Sequence, residues 1–379
     1  MKLAINATTL GSAGGLNVAL NFLNEIGHMN LKHKEVHVFA PRDKGYESFE
    51  SENIHIHTVS DFKRKHFMRL DTDFRWLPQK IESLSPDIIF SMGNLGTPIN
   101  GIKQALLFHW PYAIYFQEKE LWKRMSTKDK LNRQIRRQIF KNRLKYVDMV
   151  FPQTNTAAFR LERYYPFINK IIPIPNAYTK LESLRVEDQA SFEREKGYKY
   201  LLCLSRYYPH KNIESLINVA SLIKTQGLPY KIIITLSEDQ HPNVKLINEK
   251  IIQNGLDDII LNVGRVPIEL VPNFYESVDA LILPTLLESF SGTYVDAMQF
   301  GKPIFTSDKD FAKEVCGELA YYFNPLSPRE ILKTIVTAYG DENELEERVK
   351  RGRQRVAQFP DWTIVAQMYM QELENLYKS

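Results

Sequence analysis

Short apolar runs of four to seven residues recur along the whole chain and alternate with longer amphipathic stretches. Runs of that kind suit parallel strands buried on both faces, and the amphipathic stretches supply crossover helices. In the first half they fall at Lys2–Ala7, Glu35–Ala40, Asn53–Val59, Asp87–Ser91, Gln104–His109 and Asp148–Pro152. In the second they fall at Lys199–Ser205, Tyr230–Thr235, Ile259–Val263, Ala280–Pro284, Pro303–Thr306 and Leu319–Phe323. Helical patterns at Leu16–Ile26, Asn212–Ile223, Val271–Ser277 and Trp362–Leu376 separate or follow them. Repeated βα units build doubly wound sheets, and 379 residues suffice for two. The seam is expected at Ile171–Leu184, where Pro173, Pro175 and Asn176 interrupt the pattern ahead of a charged connector. The reading is a first domain of residues 1–178, a second of 179–360, and a C-terminal helix, 361–379, packing back across the junction.

Composition narrows the class. No apolar stretch approaches the roughly 20 residues of a spanning helix. Met1–Asn6 leads into a strand and a Gly-rich turn, which reads as no signal peptide. Cys203 and Cys316, the two cysteines, sit in apolar runs and read as buried reduced thiols of a cytoplasmic protein. The net charge of +4 is uneven: residues 1–180 hold 27 basic and 16 acidic residues, leaving 22 basic and 29 acidic residues for the remainder. A basic first half is expected to face an anionic surface.

In open α/β sheets ligands lie at the carboxyl ends of the strands, so the strand-end loops carry the chemistry. The segment Leu283–Pro303 reads as strand, loop, helix from about Ser291, a stop at Gly301, and the next strand. The first amides of that helix, at Ser291, Gly292 and Thr293, lack intrahelical partners and form an anion site. Glu288 and Asp296 bracket it. Earlier, Arg206 and Lys211 stand five residues apart after a strand and suit a diphosphate, one as a bidentate fork and one as a point charge. The loop Gly11–Asn17 follows the first strand but lacks the G-x-G-x-x-G spacing, which argues against a dinucleotide site. His109 closes the run Ala105–Phe108; a buried structural histidine and a site residue both fit it. His55 and His57 alternate on one strand face without acidic or cysteine company and read as non-ligands.

The Glu288–Asp296 frame resembles the E-x7-E signature of retaining family-4 glycosyltransferases of GT-B fold (glycosyl transferases group 1), with Asp296 in place of the second Glu. Arg206 and Lys211 resemble that family's GR…KN segment, with Ser205 in place of the Gly. The resemblance implies two Rossmann-like doubly wound parallel sheets facing across a deep cleft. It also implies a retaining, metal-independent transfer of a hexose-type sugar from an NDP-sugar to an acceptor hydroxyl, in polysaccharide, lipopolysaccharide or glycolipid assembly. By it Glu288 lies against the donor sugar, Asp296 binds the ribose, and Arg206, Lys211 and the Ser291–Thr293 amides neutralise the diphosphate. Gly14 and Gly15 lie beneath the diphosphate, His109 faces the donor, and Val266 adjoins the base. UDP, GDP and ADP donors, and a carbohydrate or lipid-linked acceptor, are all compatible. No cofactor, metal or nucleic acid is implied.

Asp71-Thr72-Asp73 matches a metal-binding D-x-D string but reads as a helix N-cap before Phe74. Lys130, Arg133, Arg137 and Lys141 share one helical face, either solvated or docked on an anionic membrane surface, which would make the protein peripheral. A nucleotide-sugar 2-epimerase of the same fold, a dehydrogenase and a non-catalytic nucleotide-sugar-binding protein are the rivals. The missing dinucleotide fingerprint argues against the dehydrogenase.

Overall fold

A computed structural model describes residues 1–60, 71–182 and 192–379. The end of the expected seam and the connector after it, residues 183–191, lie outside the described residues. The chain forms two compact units. One contains Met1–Phe116, Ser126–Ala177 and Pro360–Ser379, and the other Gln117–Met125 and Tyr178–Phe359. The short excursion Gln117–Met125, invisible in the hydrophobic pattern, leaves the first unit and packs with the second.

The first unit holds a seven-stranded parallel sheet. Its strands are β1 (Lys2–Asn6), β2 (Glu35–Pro41), β3 (Ile54–Val59), β4 (Ile88–Ser91), β5 (Lys103–Phe108), β6 (Met149–Pro152) and β7 (Lys170–Ile171), in the order β3-β2-β1-β4-β5-β6-β7. Ile5 pairs with Val38 on one side and Phe90 on the other. β7 is absent from the sequence reading because two residues show no period. The C-terminal helix Trp362–Lys378 turns Val365, Ala366, Tyr369, Met370, Leu373 and Leu376 inward. Its Tyr369 ring meets Phe22 and Phe151 edge-on, with centroids 5.8 and 5.4 Å away. This helix is an integral part of the first unit's core.

Two expectations change here. Asp71 is not an N-cap: its backbone is helical, with φ −60°, and its side chain accepts no capping bond. It lies 3.9 Å from Arg75 one turn on, and Thr72–Trp76 forms a π-turn leading into the helix Leu77–Ser83. His55 and His57 do have acidic company. His55 lies 3.4 Å from Glu50 and 3.9 Å from Glu35, while His57 meets His37, itself 2.9 Å from Glu35. Strand pairing brings β2 and β3 together and creates neighbours that position along the chain does not show. Burial pulls His37 and His57 below the ordinary imidazole range.

The second unit holds β8 (Lys199–Cys203), β9 (Tyr230–Ile234), β10 (Ile260–Asn262), β11 (Ala280–Leu283), β12 (Ile304–Ser307) and β13 (Ala320–Phe323), all parallel, in the order β10-β9-β8-β11-β12-β13. Both cysteines are buried free thiols. Burial pushes the Cys203 thiol up to about 12, which leaves it unreactive. In each sheet the winding direction reverses once, at β1/β4 and at β8/β11. Diverging crossovers leave a crevice at such a point, where ligands bind in doubly wound folds. None of the described helices is long and apolar enough to cross a membrane.

Candidate active site

The loops that leave β8 and β11 meet at the reversal of the second sheet. After β8 the chain runs through Arg206 to a short 3-10 turn, Pro209–Lys211. The thread is anchored along its length. Ser205 N–H donates to Thr235 Oγ1 at 3.1 Å, and Tyr207 N–H donates to Gln240 Oε1 at 3.0 Å. The Tyr207 hydroxyl donates to Glu214 at 2.5 Å. Arg206 projects into solvent with no partner among the described residues. Lys211 points the other way, and its ammonium lies 2.5 Å from Glu288 Oε1. The Thr285 hydroxyl lies 3.0 Å from the same oxygen. The sequence reading gives Lys211 and Glu288 separate ligand partners, and the structure joins them directly.

Beyond Glu288 the loop reaches Ser291, which precedes the helix Gly292–Gln299. No side chain caps that helix; Ser291 Oγ bonds instead to Thr293 Oγ1 at 2.8 Å. The first amides are therefore open to an anion. A Cβ built on Gly292 would meet nothing within 4 Å, so the approach is clear. Asp296, one turn in, has a carboxylate that accepts no hydrogen bond and pairs with no cation among the described residues. Burial pushes its pKa up to about 7, although the residue keeps an exposed edge. Tyr178, on the stretch entering this unit, is tied to the same helix through Gln299, which also bonds both backbone groups of Leu181. Val266 is half-exposed after β10, beside Gly264 at φ 75°. Asn262 Oδ1 accepts from Gly264 and Leu236 N–H, which ties the loops after β9 and β10 together.

In the first unit, His109 follows β5. Its backbone N–H donates to Asn94 Oδ1 at 2.7 Å, and Asn94 itself sits in the left-handed region at φ 66°. The His109 Nδ1 atom is buried without a partner among the described residues. Burial holds the imidazole near 4, so the ring is neutral at physiological pH. A Cβ on Gly15 would lie 3.6 Å from His109 Nε2 and only 3.0 Å from Leu10 Cδ2, so glycine at 15 keeps the ring edge clear. Gly14 faces open space. The candidate residues thus gather in two sets, Gly14, Gly15 and His109 in one unit, and Arg206, Lys211, Val266, Glu288, Ser291–Thr293 and Asp296 in the other.

The basic helix Thr127–Arg143 differs from expectation. The guanidinium of Arg133 lies 3.5 Å from the Tyr112 ring centre, and that of Arg137 lies 3.6 Å from that of Phe116. Those two charges are spent on aromatic faces within the unit, Lys130 is half-buried, and Lys141 alone of the four is exposed. The outward face instead shows Leu131 and Ile135. Sequence reasoning also missed Asn94, Asn212 and Thr285, polar residues whose roles come from loops meeting in space. Asparagine at a left-handed turn is the one signal that marks the first two. Among the described residues no group of three or more His, Cys, Asp or Glu side chains is arranged to hold a metal ion.

Two family models match the chain, "Glycosyltransferase Family 4" over residues 21–179 and "Glycosyl transferases group 1" over residues 185–355. Together they span most of it. An MMP alpha-(1->4)-mannosyltransferase of Mycolicibacterium hassiacum is 26% identical over 161 residues, 42% of this chain and 38% of that protein. The matched stretch is thus well under half of that relative's length. Sucrose-phosphate synthase from Thermosynechococcus elongatus superposes with a TM-score of 0.79 at 16% identity, over 100% of this chain and 99% of that one. Anabaena HepE in complex with UDP-glucose does so with a TM-score of 0.71 at 14% identity, over 99% of this chain and 100% of that one. At such identities the likeness shows the shared GT-B fold.

The unpaired Asp296 carboxylate makes a stability prediction. Its folded pKa of about 7 lies above the ordinary 3.8, so the folded state holds this proton more tightly than the unfolded chain. Stability is therefore lost as pH climbs from about 4 to 7, and the full penalty applies above 7. Asp296→Asn should melt higher than the parent at pH 8, with the gap closing toward pH 4. A gap independent of pH would show that the carboxylate is not buried as described.

Proposed function

Because this chain belongs to the family-4 glycosyltransferases of GT-B fold, we propose that it transfers a hexose-type sugar from an NDP-sugar to an acceptor hydroxyl, with retention at the anomeric carbon. The observation that carries this is the Lys211–Glu288 pair, which joins the loops leaving β8 and β11 where the second sheet reverses, with Arg206 on the first loop and the open amides of Gly292 and Thr293 at the end of the second. Two cations and a helix N-terminus suit a diphosphate, and the adjacent carboxylates of Glu288 and Asp296 suit sugar and ribose hydroxyls. We assign the donor to residues 179–360 and the acceptor to residues 1–178.

The chemistry asked of the protein is mainly electrostatic. The bond between the anomeric carbon and the β-phosphate oxygen breaks, and negative charge grows on the departing diphosphate. Arg206, Lys211 and the helix amides meet that charge. The acceptor oxygen forms its new bond on the same face, and its proton passes to the leaving phosphate. No side chain acts as a covalent nucleophile in this scheme. Lys211 begins in a pair with Glu288, so a bound diphosphate draws the ammonium away and frees the carboxylate for a sugar hydroxyl. His109, held neutral by burial, can serve as a hydrogen-bonding group and not as a charge. Arg206 and Lys211 match the charge of a divalent cation, so the transfer is proposed to be metal-independent. The acceptor class fits polysaccharide, lipopolysaccharide or glycolipid assembly. Contact with an anionic membrane is proposed for Lys130 and Lys141 only, because Arg133 and Arg137 are engaged by aromatic rings.

A thermal-shift series with UDP, GDP and ADP selects the nucleotide, since a ligand of the folded state raises the melting temperature by linkage. With the matching NDP-hexose, NDP release should fall roughly a hundredfold in Arg206→Ala and in Lys211→Ala, as when an oxyanion donor is lost. Release by the parent should survive EDTA. Near-parental rates in both folded variants would remove the donor assignment, and loss in EDTA restored by Mn²⁺ would remove the metal-free mechanism.

A further inference from the structure

Lys211 owes its direction to the residue that follows it. Asn212 is completely buried, and its backbone is left-handed at φ 54°, ψ 33°. Few residues other than glycine accept that conformation; asparagine does because its short amide finds local partners. Here the partners are not local. The Asn212 Nδ2 group donates one hydrogen to Pro284 O at 3.0 Å and the other to Pro325 O at 2.8 Å. Its Oδ1 accepts from Arg124 Nη1 at 2.5 Å. A guanidinium can only donate, so Arg124 fixes which end of the amide is the oxygen.

One side chain thereby joins four pieces of chain. Pro284 opens the loop that carries Glu288, Pro325 follows β13, Arg124 lies on the Gln117–Met125 excursion, and Asn212 ends the turn that aims Lys211. Two further bonds close the knot. Leu286 N–H donates to His210 O at 2.7 Å, and the Thr285 hydroxyl lies 3.3 Å from the same oxygen. Lys309 and Glu118, paired at 3.0 Å, hold the excursion at a second point, with Leu121 buried between its ends. An aliphatic residue of the same size could fill the volume at 212. It could not meet two backbone carbonyls at once, and both would then be buried without a donor. Nor could glycine, which would accept the backbone conformation and leave the same carbonyls bare. The amide is therefore tuned to the relation between two loops, and those loops carry Lys211 and Glu288.

We propose that Asn212 is a positioning residue that sets the Lys211 ammonium against the donor's diphosphate, with Arg124 holding its amide in the working orientation. The proposal rests on the donor assignment above. Asn212 touches no substrate; it acts through Lys211. The Gln117–Met125 excursion then has a purpose in the second unit, since it delivers the guanidinium that completes the knot.

The test is a double-mutant cycle read by calorimetry with the nucleoside diphosphate, among UDP, GDP and ADP, that stabilises the parent most, and with its monophosphate. Asn212→Gly keeps the left-handed backbone and removes the amide. It should weaken diphosphate binding about tenfold, within the range of couplings between contacting residues, and change monophosphate binding less than twofold. Arg124→Met, at an exposed side chain, should act in the same direction by about threefold and serves if the glycine variant does not fold. Both effects should vanish in a Lys211→Ala background. Equal losses for diphosphate and monophosphate, or effects that persist undiminished without Lys211, would make Asn212 merely structural and overturn the proposal. A parent that binds none of the three diphosphates would remove the donor assignment and this inference with it.

Discussion

The Lys211–Glu288 ion pair joins the two loops that carry the candidate donor residues of the second unit. Its atoms approach to 2.5 Å, and the two side chains are only 16% and 10% exposed. A pair in that setting is a poor source of stability, because removing both charges from water costs about as much as their attraction returns. Its value is in what it keeps ready. In the proposed function a cation suited to phosphate and a carboxylate suited to hydroxyls hold one another until a ligand offers both groups at once. Arg206, exposed and without a partner among the described residues, follows β8, and the helix Gly292–Gln299 begins at the end of the loop that carries Glu288.

Everything that positions the pair follows from the order of the strands. β8 and β11 are neighbours whose crossovers run in opposite directions, so the loops after them lie side by side although 77 residues separate Lys211 from Glu288. The strands beneath are fully buried at Leu201, Leu202, Ile232 and Ile282, a close-packed base with no slack to pass on to the loops. Amides then lock the loops: Asn262 between those after β9 and β10, and Asn212 among those after β8, β11 and β13. The first unit repeats the design more sparsely. Asn94 holds the backbone of His109, Gly15 leaves its ring edge clear, and burial removes its charge.

Much of this was legible in the sequence, because buried parallel strands are written as continuous apolar runs. Each of the twelve runs corresponds to a strand, with differences of a residue or so at most ends. β7 was not legible, since two residues carry no pattern. Arg206, Lys211, Glu288 and Asp296 could be picked out because they lie on the loops and helix start that follow such runs and match the motifs of the resembled family. The Arg124–Asn212 bond spans 88 positions and leaves no mark in any local window. Periodicity placed Lys130, Arg133, Arg137 and Lys141 on one face correctly. It could not tell that Arg133 and Arg137 lie over aromatic rings while Lys141 stays exposed, because a cation over an aromatic ring can be half-buried without a carboxylate. The capping role given to Asp71 failed for a related reason: its backbone is already helical, so it cannot close the turn.

In the proposed function Lys211 exchanges Glu288 for the donor's diphosphate. Calorimetry of Glu288→Gln with the bare nucleoside diphosphate tests it most directly. The variant removes the carboxylate's charge while keeping its shape, so the ammonium loses its internal competitor. If the exchange occurs, the variant binds the bare diphosphate at least as tightly as the parent, while losing affinity for the complete NDP-sugar. If Glu288→Gln instead weakens the bare diphosphate as much as Lys211→Ala does, the carboxylate supports phosphate binding, and the exchange does not occur.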